Sequence, residues 1–80
     1  MANSEIRAPL PGVYYRRPSP EEPNYKEVGD KVSKGDVVGL IEVMKTFTPV
    51  TSEFDGIVVE FQVETDDPVM AGQVLVILEG

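Results

Sequence analysis

The sequence predicts an all-β domain, a flattened β-barrel or sandwich whose two similar halves are related by a pseudo-two-fold axis. Three observations predict it. Short apolar or alternating runs are each bounded by Gly, Pro, Asn or Asp, the punctuation of strands and turns. No segment sustains a 3.6-residue apolar period with caps, so no helix of consequence is expected. The chain also repeats itself. Asp30, Val32, Gly35, Val37, Val38, Leu40, Ile41 and Glu42 match Asp67, Val69, Gly72, Val74, Leu75, Ile77, Leu78 and Glu79 at a constant offset of 37. Pro11-Gly12-Val13 matches Asp55-Gly56-Ile57 at an offset of 44. The seven-residue difference is an extra segment in the first half, between Val13 and Asp30. Neither half can bury its own apolar face, so packing the two together buries both.

Taken in order, residues 1–5 read as a frayed polar start, and residues 6–8 as a short strand. Pro9, Pro11 and Gly12 mark a turn. Val13-Tyr14-Tyr15 has the branched and aromatic composition of a strand. Residues 16–26 carry Pro18, Pro20 and Pro23, which forbid a ladder or a helix interior. That stretch is a stiff, polar, protruding loop. Residues 28–36 place two turns around one buried Val32. Residues 37–43 are a strand, in which Gly39 signals a kink or the close approach of another backbone. Residues 47–51 form the next strand, and Pro49 puts it at an edge. Residues 53–56 turn. Residues 57–64 form a half-buried strand, alternating from Val59 onward with Val59, Phe61 and Val63 inward. Thr65 to Pro68 turn again, Val69 is a lone apolar peg, and residues 74–79 close the chain as a strand.

Eighty residues make one domain. The chain has no cysteine, hence no disulfide framework and no thiolate site, which suits a reducing cytoplasm. It has no histidine, which removes the usual general base, the serine triads and the commonest zinc ligand. The adjacent carboxylates Asp66 and Asp67 read as turn chemistry rather than an acid–base pair. The net charge of −7 argues against nucleic-acid or anionic-membrane partners. The longest aliphatic run, residues 74–78, is far too short to span a bilayer.

The repeat places Glu42-Val43-Met44-Lys45-Thr46 at the junction of the halves, with Met44 and Lys45 at a hairpin tip. Neither residue suits a primed hairpin turn, which favours Asn-Gly or Asp-Gly. A local rule broken on a regular scaffold is where function is expected.

From about Ile6 to Glu79 the sequence resembles the biotinyl/lipoyl-attachment domains, whose biotinyl members carry Glu-Ala-Met-Lys-Met at the tip. Within that family it is similar to the carrier type of bacterial acetyl-CoA carboxylase, which has a protruding thumb in its first half. Tyr15-Arg16-Arg17-Pro18-Ser19-Pro20 fits the start of that thumb, which spans about 18–26. The resemblance implies a barrel-sandwich hybrid of two four-stranded antiparallel sheets, occupying residues 6–80. It implies biotin on Lys45, with Glu42, Val43, Met44 and Thr46 as the recognition tip and Arg17, Pro18, Ser19 and Pro20 as thumb contacts. It implies a non-catalytic, monomeric carrier with three partners: a biotin protein ligase, a biotin carboxylase and a carboxyltransferase that passes the carboxyl group on, with acetyl-CoA the default acceptor. The chain departs from the family at Val43 (alanine there), Thr46 (methionine) and Arg17 (threonine). The long N-terminal extension of full-length carriers is not part of these residues, so the sequence reads as a short subunit or an excised domain. The alternatives are a lipoyl-type swinging arm of a 2-oxo-acid dehydrogenase complex and an unmodified β-sandwich interaction module. Lipoyl domains lack the thumb and carry Asp-Lys-Ala, so Met44 favours biotin.

Overall fold

The branched and aromatic runs become strands because their side chains pack well on a pleated surface, and the intervening Gly, Pro and Asp end each run. A computed structural model describes residues 3–80. It contains β1 (Asn3–Arg7), β2 (Gly12–Tyr15), β3 (Lys31–Val32), β4 (Val37–Val43), β5 (Thr46–Thr51), β6 (Gly56–Phe61), β7 (Asp67–Val69) and β8 (Val74–Glu79). They form two four-stranded antiparallel sheets, ordered β1-β8-β6-β3 and β5-β4-β2-β7. Among the described residues there is no helix long and apolar enough to cross a membrane.

The offsets read from the sequence are physical registers. β2 and β4 pair Val13 with Glu42 and Tyr14 with Ile41, while β6 and β8 pair Ile57 with Glu79 and Val58 with Leu78. The edge strands obey the same rule, since Ile6 faces Val76 as Val50 faces Gly39. So β1 is the twin of β5, a relation hidden in the sequence because the two share only an inside–outside alternation. The ladder of β4 with β5 skips Val38, and that of β8 with β1 skips Leu75. Each bulge puts two successive residues inward, which is why these runs show no alternation.

Four expectations are corrected. Asn3 to Glu5 are not frayed: they belong to β1, whose backbone pairs with β8 from Asn3↔Glu79 onward. Met1 and Ala2 lie outside the described residues. Val32 and Val69 are buried as expected, but they are not isolated pegs. Each lies in a short strand paired to a glycine, Val32↔Gly56 and Gly12↔Val69. The inward alternation of β6 does not begin at Val59, because the ladder shifts between Val58 and Glu60. Val58 is the buried residue and Val59 is exposed, with the inward phase resuming at Phe61. Lastly, of the two readings of Gly39 the kink holds, since the β4–β5 ladder shifts between Val37 and Gly39, but the close approach is that of a side chain and not of a backbone. A Cβ there would collide with Cε1 of Tyr14, so the missing side chain makes room for the phenol ring.

Tyr14 is fully buried, and its hydroxyl donates to the Val38 carbonyl at 2.9 Å. The twins of Tyr14 and Gly39 in the other half are Val58 and Val76, both buried. One half thus uses a large and an absent side chain where the other uses two of medium size.

Gly39→Ala should cost about 1–3 kcal/mol by overpacking against the Tyr14 ring, seen as a lower urea midpoint at unchanged slope. Tyr14→Phe leaves the buried Val38 carbonyl unpaired and should cost about 1–2 kcal/mol. Burial, first of all, raises the Tyr14 phenol above its ordinary 10.0, with Arg16 opposing and Glu64 adding to the shift. The folded chain therefore keeps this proton to higher pH than the unfolded chain. The stability linked to it is fully present below the ordinary value and is lost as pH climbs above it. A pH series of unfolding midpoints should show that alkaline loss reduced in Tyr14→Phe.

A lysine-bearing hairpin tip beside a thumb cleft

The last pair of the β4–β5 ladder is Val43↔Thr46, leaving Met44 and Lys45 as a two-residue loop. Their φ angles are 49° and 67°, so both are left-handed, the geometry of a type I′ turn. This turn matches the twist of the flanking strands but normally recruits Asn and Gly. Left-handed backbone at a non-glycine costs on the order of 1–3 kcal/mol and persists only where the surroundings impose it. Here they do, because Ile41 and Val50 anchor the two strands in the core. Met44 is 93% exposed, so its apolar side chain serves no packing role in this chain. Lys45 is exposed, and none of the ion pairs among the described residues involves it.

The other expected tip residues divide. Thr46 is exposed, whereas Val43 is half-buried and packs against the core. Glu42 is half-buried and committed, accepting a hydrogen bond from the Tyr15 hydroxyl at 2.9 Å. That bond is the first cause holding the Tyr15 phenol above its usual value, with smaller contributions from burial and from the charges of Glu42 and Asp66.

The proline-rich loop leaves the second sheet after Tyr15 and returns before β3. Tyr25 N–H donates to Arg16 O at 2.8 Å and closes it at the base, and Glu22 N–H donates to Ser19 O at 3.1 Å near its far end. Arg17, Pro18, Ser19 and Pro20 form one wall of a cleft of about 570 Å³. Tyr15, Phe47, Thr65 and Asp66 form the other side, and sequence reasoning assigned none of these to the site. The Tyr15 and Phe47 rings are 6.1 Å apart and tilted by 54°. Phe47 lies two residues along β5 from Lys45, roughly 7 Å of strand. One signal for the far wall was available, since Asp66 stands where the repeat has Gly29.

Arg16 pins the loop to the body. Its side chain is 13% exposed, lies 3.8 Å over the Phe61 ring and bridges Glu27 at 2.9 Å and Glu64 at 3.0 Å. Its backbone N–H donates to Thr65 Oγ1 at 3.1 Å. Both carboxylates are largely exposed, so each ion pair alone is weak. The stacking and burial of the guanidinium add to them. Among the described residues its Nε has no hydrogen-bond partner. This one side chain touches the returning arm of the loop, the end of β6 and the β6–β7 loop, and so sets the spacing of the cleft walls.

Among the described residues no group of three His, Cys, Asp or Glu could hold a metal ion. What the site offers is an accessible primary amine on a rigid tip, next to a part-apolar, part-polar cleft. Fold and site together have the form of a carrier domain, with one exposed lysine at the tip of a central hairpin. The family model described as biotin-requiring enzyme matches residues 4–78. The chain belongs to that family, the biotinyl and lipoyl attachment domains, and the match together with the relatives below implies covalently attached biotin.

The relatives agree. The biotin carboxyl carrier protein of acetyl-CoA carboxylase 2 (chloroplastic) of Arabidopsis thaliana is 41% identical over 64 residues, covering 80% of this chain and 25% of its own. The biotin carboxyl carrier protein of acetyl-CoA carboxylase of Pseudomonas aeruginosa is 37% identical over 70 residues, covering 88% of this chain and 45% of its own. The chain therefore spans less than half the length of these relatives. Among solved structures, the urea carboxylase of Kluyveromyces lactis superposes with a TM-score of 0.79 at 25% identity, covering 99% of this chain and 6% of that one.

Arg16→Lys keeps the charge but loses the planar fork and most of the stacking. Amide exchange of residues 19–25 should speed up about tenfold, the effect of losing about 1.4 kcal/mol locally. Exchange in β4 and β8 should change far less, and mass-resolved exchange of Arg16→Lys beside the wild type checks both.

Proposed function

We propose that this chain is the biotin carboxyl carrier of an acetyl-CoA carboxylase, with biotin joined by an amide to Nζ of Lys45. The observation that carries this reading is the exposed lysine on a left-handed two-residue turn, where the fold bears backbone strain to present Met44 and Lys45. The names of the relatives support the acceptor, and the proline-rich loop supports biotin over lipoate.

Bound biotin supplies a ureido nitrogen that accepts a carboxyl group at one active site and yields it at another. The cleft fits its neutral ring head. Tyr15, Phe47, Pro18 and Pro20 offer apolar surface, and Arg17, Ser19, Thr65 and Asp66 offer polar groups at its edges. The chain does no bond-making of its own. Lys45 provides the tether, which keeps the cofactor at high effective concentration near both partner sites. The β4–β5 hairpin fixes where the tether starts. Met44 and Thr46, both exposed, are the surface a biotin protein ligase reads around the amine. The net charge of −7 steers the domain toward basic docking surfaces on a biotin carboxylase and a carboxyltransferase.

Co-expression with a biotin protein ligase and free biotin should give a biotin-sized gain in intact mass, absent in Lys45→Arg. With the native partner subunits, the modified chain should support ATP- and bicarbonate-dependent carboxylation of acetyl-CoA, and Lys45→Arg should not. A lipoyl-sized gain instead, or no gain in either system, would sink the reading.

A further inference from the structure

We propose that the Asp66 carboxylate is a hydrogen-bond acceptor for the N–H-bearing head of the cofactor arm when that arm rests in the thumb cleft. It thereby sets how firmly the arm parks between deliveries. The proposal rests on the reading that Lys45 carries biotin.

The pseudo-symmetry supplies an internal control. Asp66 has a φ of 76° and its twin Gly29 a φ of 96°. Both make the same bond, Asp66 N–H to Tyr14 O and Gly29 N–H to Val58 O, each at 2.8 Å. The backbone at this point needs a left-handed residue, and glycine meets the need without strain. In the second half a side chain is kept there regardless.

That side chain is not needed to build the turn. The capping is done by its neighbour, since Asp67 Oδ2 accepts from Glu64 N–H at 2.9 Å. Asp30 Oδ2 accepts from Glu27 N–H at 2.8 Å in the twin. Asp67 is therefore the turn residue expected from the sequence, and Asp66 is not. Among the described residues, no ion pair or side-chain hydrogen bond of the chain uses the Asp66 carboxylate. The residue is exposed and lines the thumb cleft, facing the same space as Tyr15 and Phe47.

The location of the strain points the same way. Three non-glycine residues among those described have positive φ: Met44, Lys45 and Asp66. Two form the lysine tip and the third lines the cleft beside it. Elsewhere the left-handed positions are filled by Gly29, Gly35 and Gly72. Non-glycine residues kept in such backbone cluster at functional sites. A carboxylate offers acceptors only, so its fitting partner is a donor, and the cofactor's ring head carries ureido N–H groups.

The test uses wild type, Asp66→Gly and Asp66→Asn, each prepared unloaded and fully biotinylated, with loading verified by intact mass. In the wild type, loading should shift the amide resonances of Arg17, Ser19, Phe47 and Thr65. In Asp66→Gly those shifts should fall about fivefold, the change in docked population expected from one lost hydrogen bond. In Asp66→Asn, which keeps an acceptor oxygen, most of the shift should remain. The unloaded Asp66→Gly protein should unfold at a midpoint no lower than wild type. Undiminished shifts in Asp66→Gly, or no cleft shifts on loading the wild type, would overturn the proposal. So would a lowered midpoint in unloaded Asp66→Gly, because the carboxylate would then be serving the turn. Failure of Lys45 to gain biotin would overturn the carrier reading itself, and the mass measurement separates that result from the others.

Discussion

Each sheet of this chain has one apolar face, and only the other sheet can cover it. The remaining features depend on that mutual cover. Ile41 of β4 and Val50 of β5 are held because Leu78 and Ile6 close the same core from the other half. With both strands anchored, the two residues beyond them have almost no freedom to relax. A small domain can therefore sustain a left-handed Met-Lys turn that an isolated hairpin would abandon for a looser loop. Rigidity at the base also leaves the mobility to the side chain, where a carrier needs it.

The second sheet adds a neighbour to that tip. Its strand β2 runs into the proline-rich loop, and Arg16 ties the loop back to β6 and the β6–β7 connection. The cleft is thus assembled from segments distant in sequence. Tyr15 and Phe47 come together because β2 and β5 flank β4, and Asp66 joins them through the backbone bond to Tyr14. The lysine tip lies at the junction of the halves, and both halves contribute walls to the cleft beside it.

The equivalence of the two halves was legible because glycines and acids recur at fixed offsets, whereas the order of the strands within each sheet was not. Val32 and Val69, and the strands that end at Val43 and Glu79, could be paired before any coordinates. The kinship of β1 and β5 could not, because Ile6 and Val50 are common core residues and their neighbours differ. The phase of β6 was misread at Val59 because a bulge leaves no mark in a run of valine and isoleucine. The place of Met44 and Lys45 at a hairpin tip was legible, because the repeat puts them at the junction of the halves. The far wall of the cleft was not, since Phe47 and Tyr15 look like ordinary strand aromatics. Asp66 was taken with Asp67 as one turn signal, though only one of the two caps the turn.

The Tyr14–Gly39 arrangement has a consequence for how such a domain can change. Its twin positions, Val58 and Val76, hold comparable volume divided differently. Either residue of one pair, moved alone to the matching place in the other half, brings a clash or a void. The two halves therefore cannot be repaired by copying from one another, one position at a time. What reads along the sequence as two unrelated divergences is, in volume, a single exchange. It makes the halves distinguishable to the folding chain and so helps exclude a swapped pairing of their central strands.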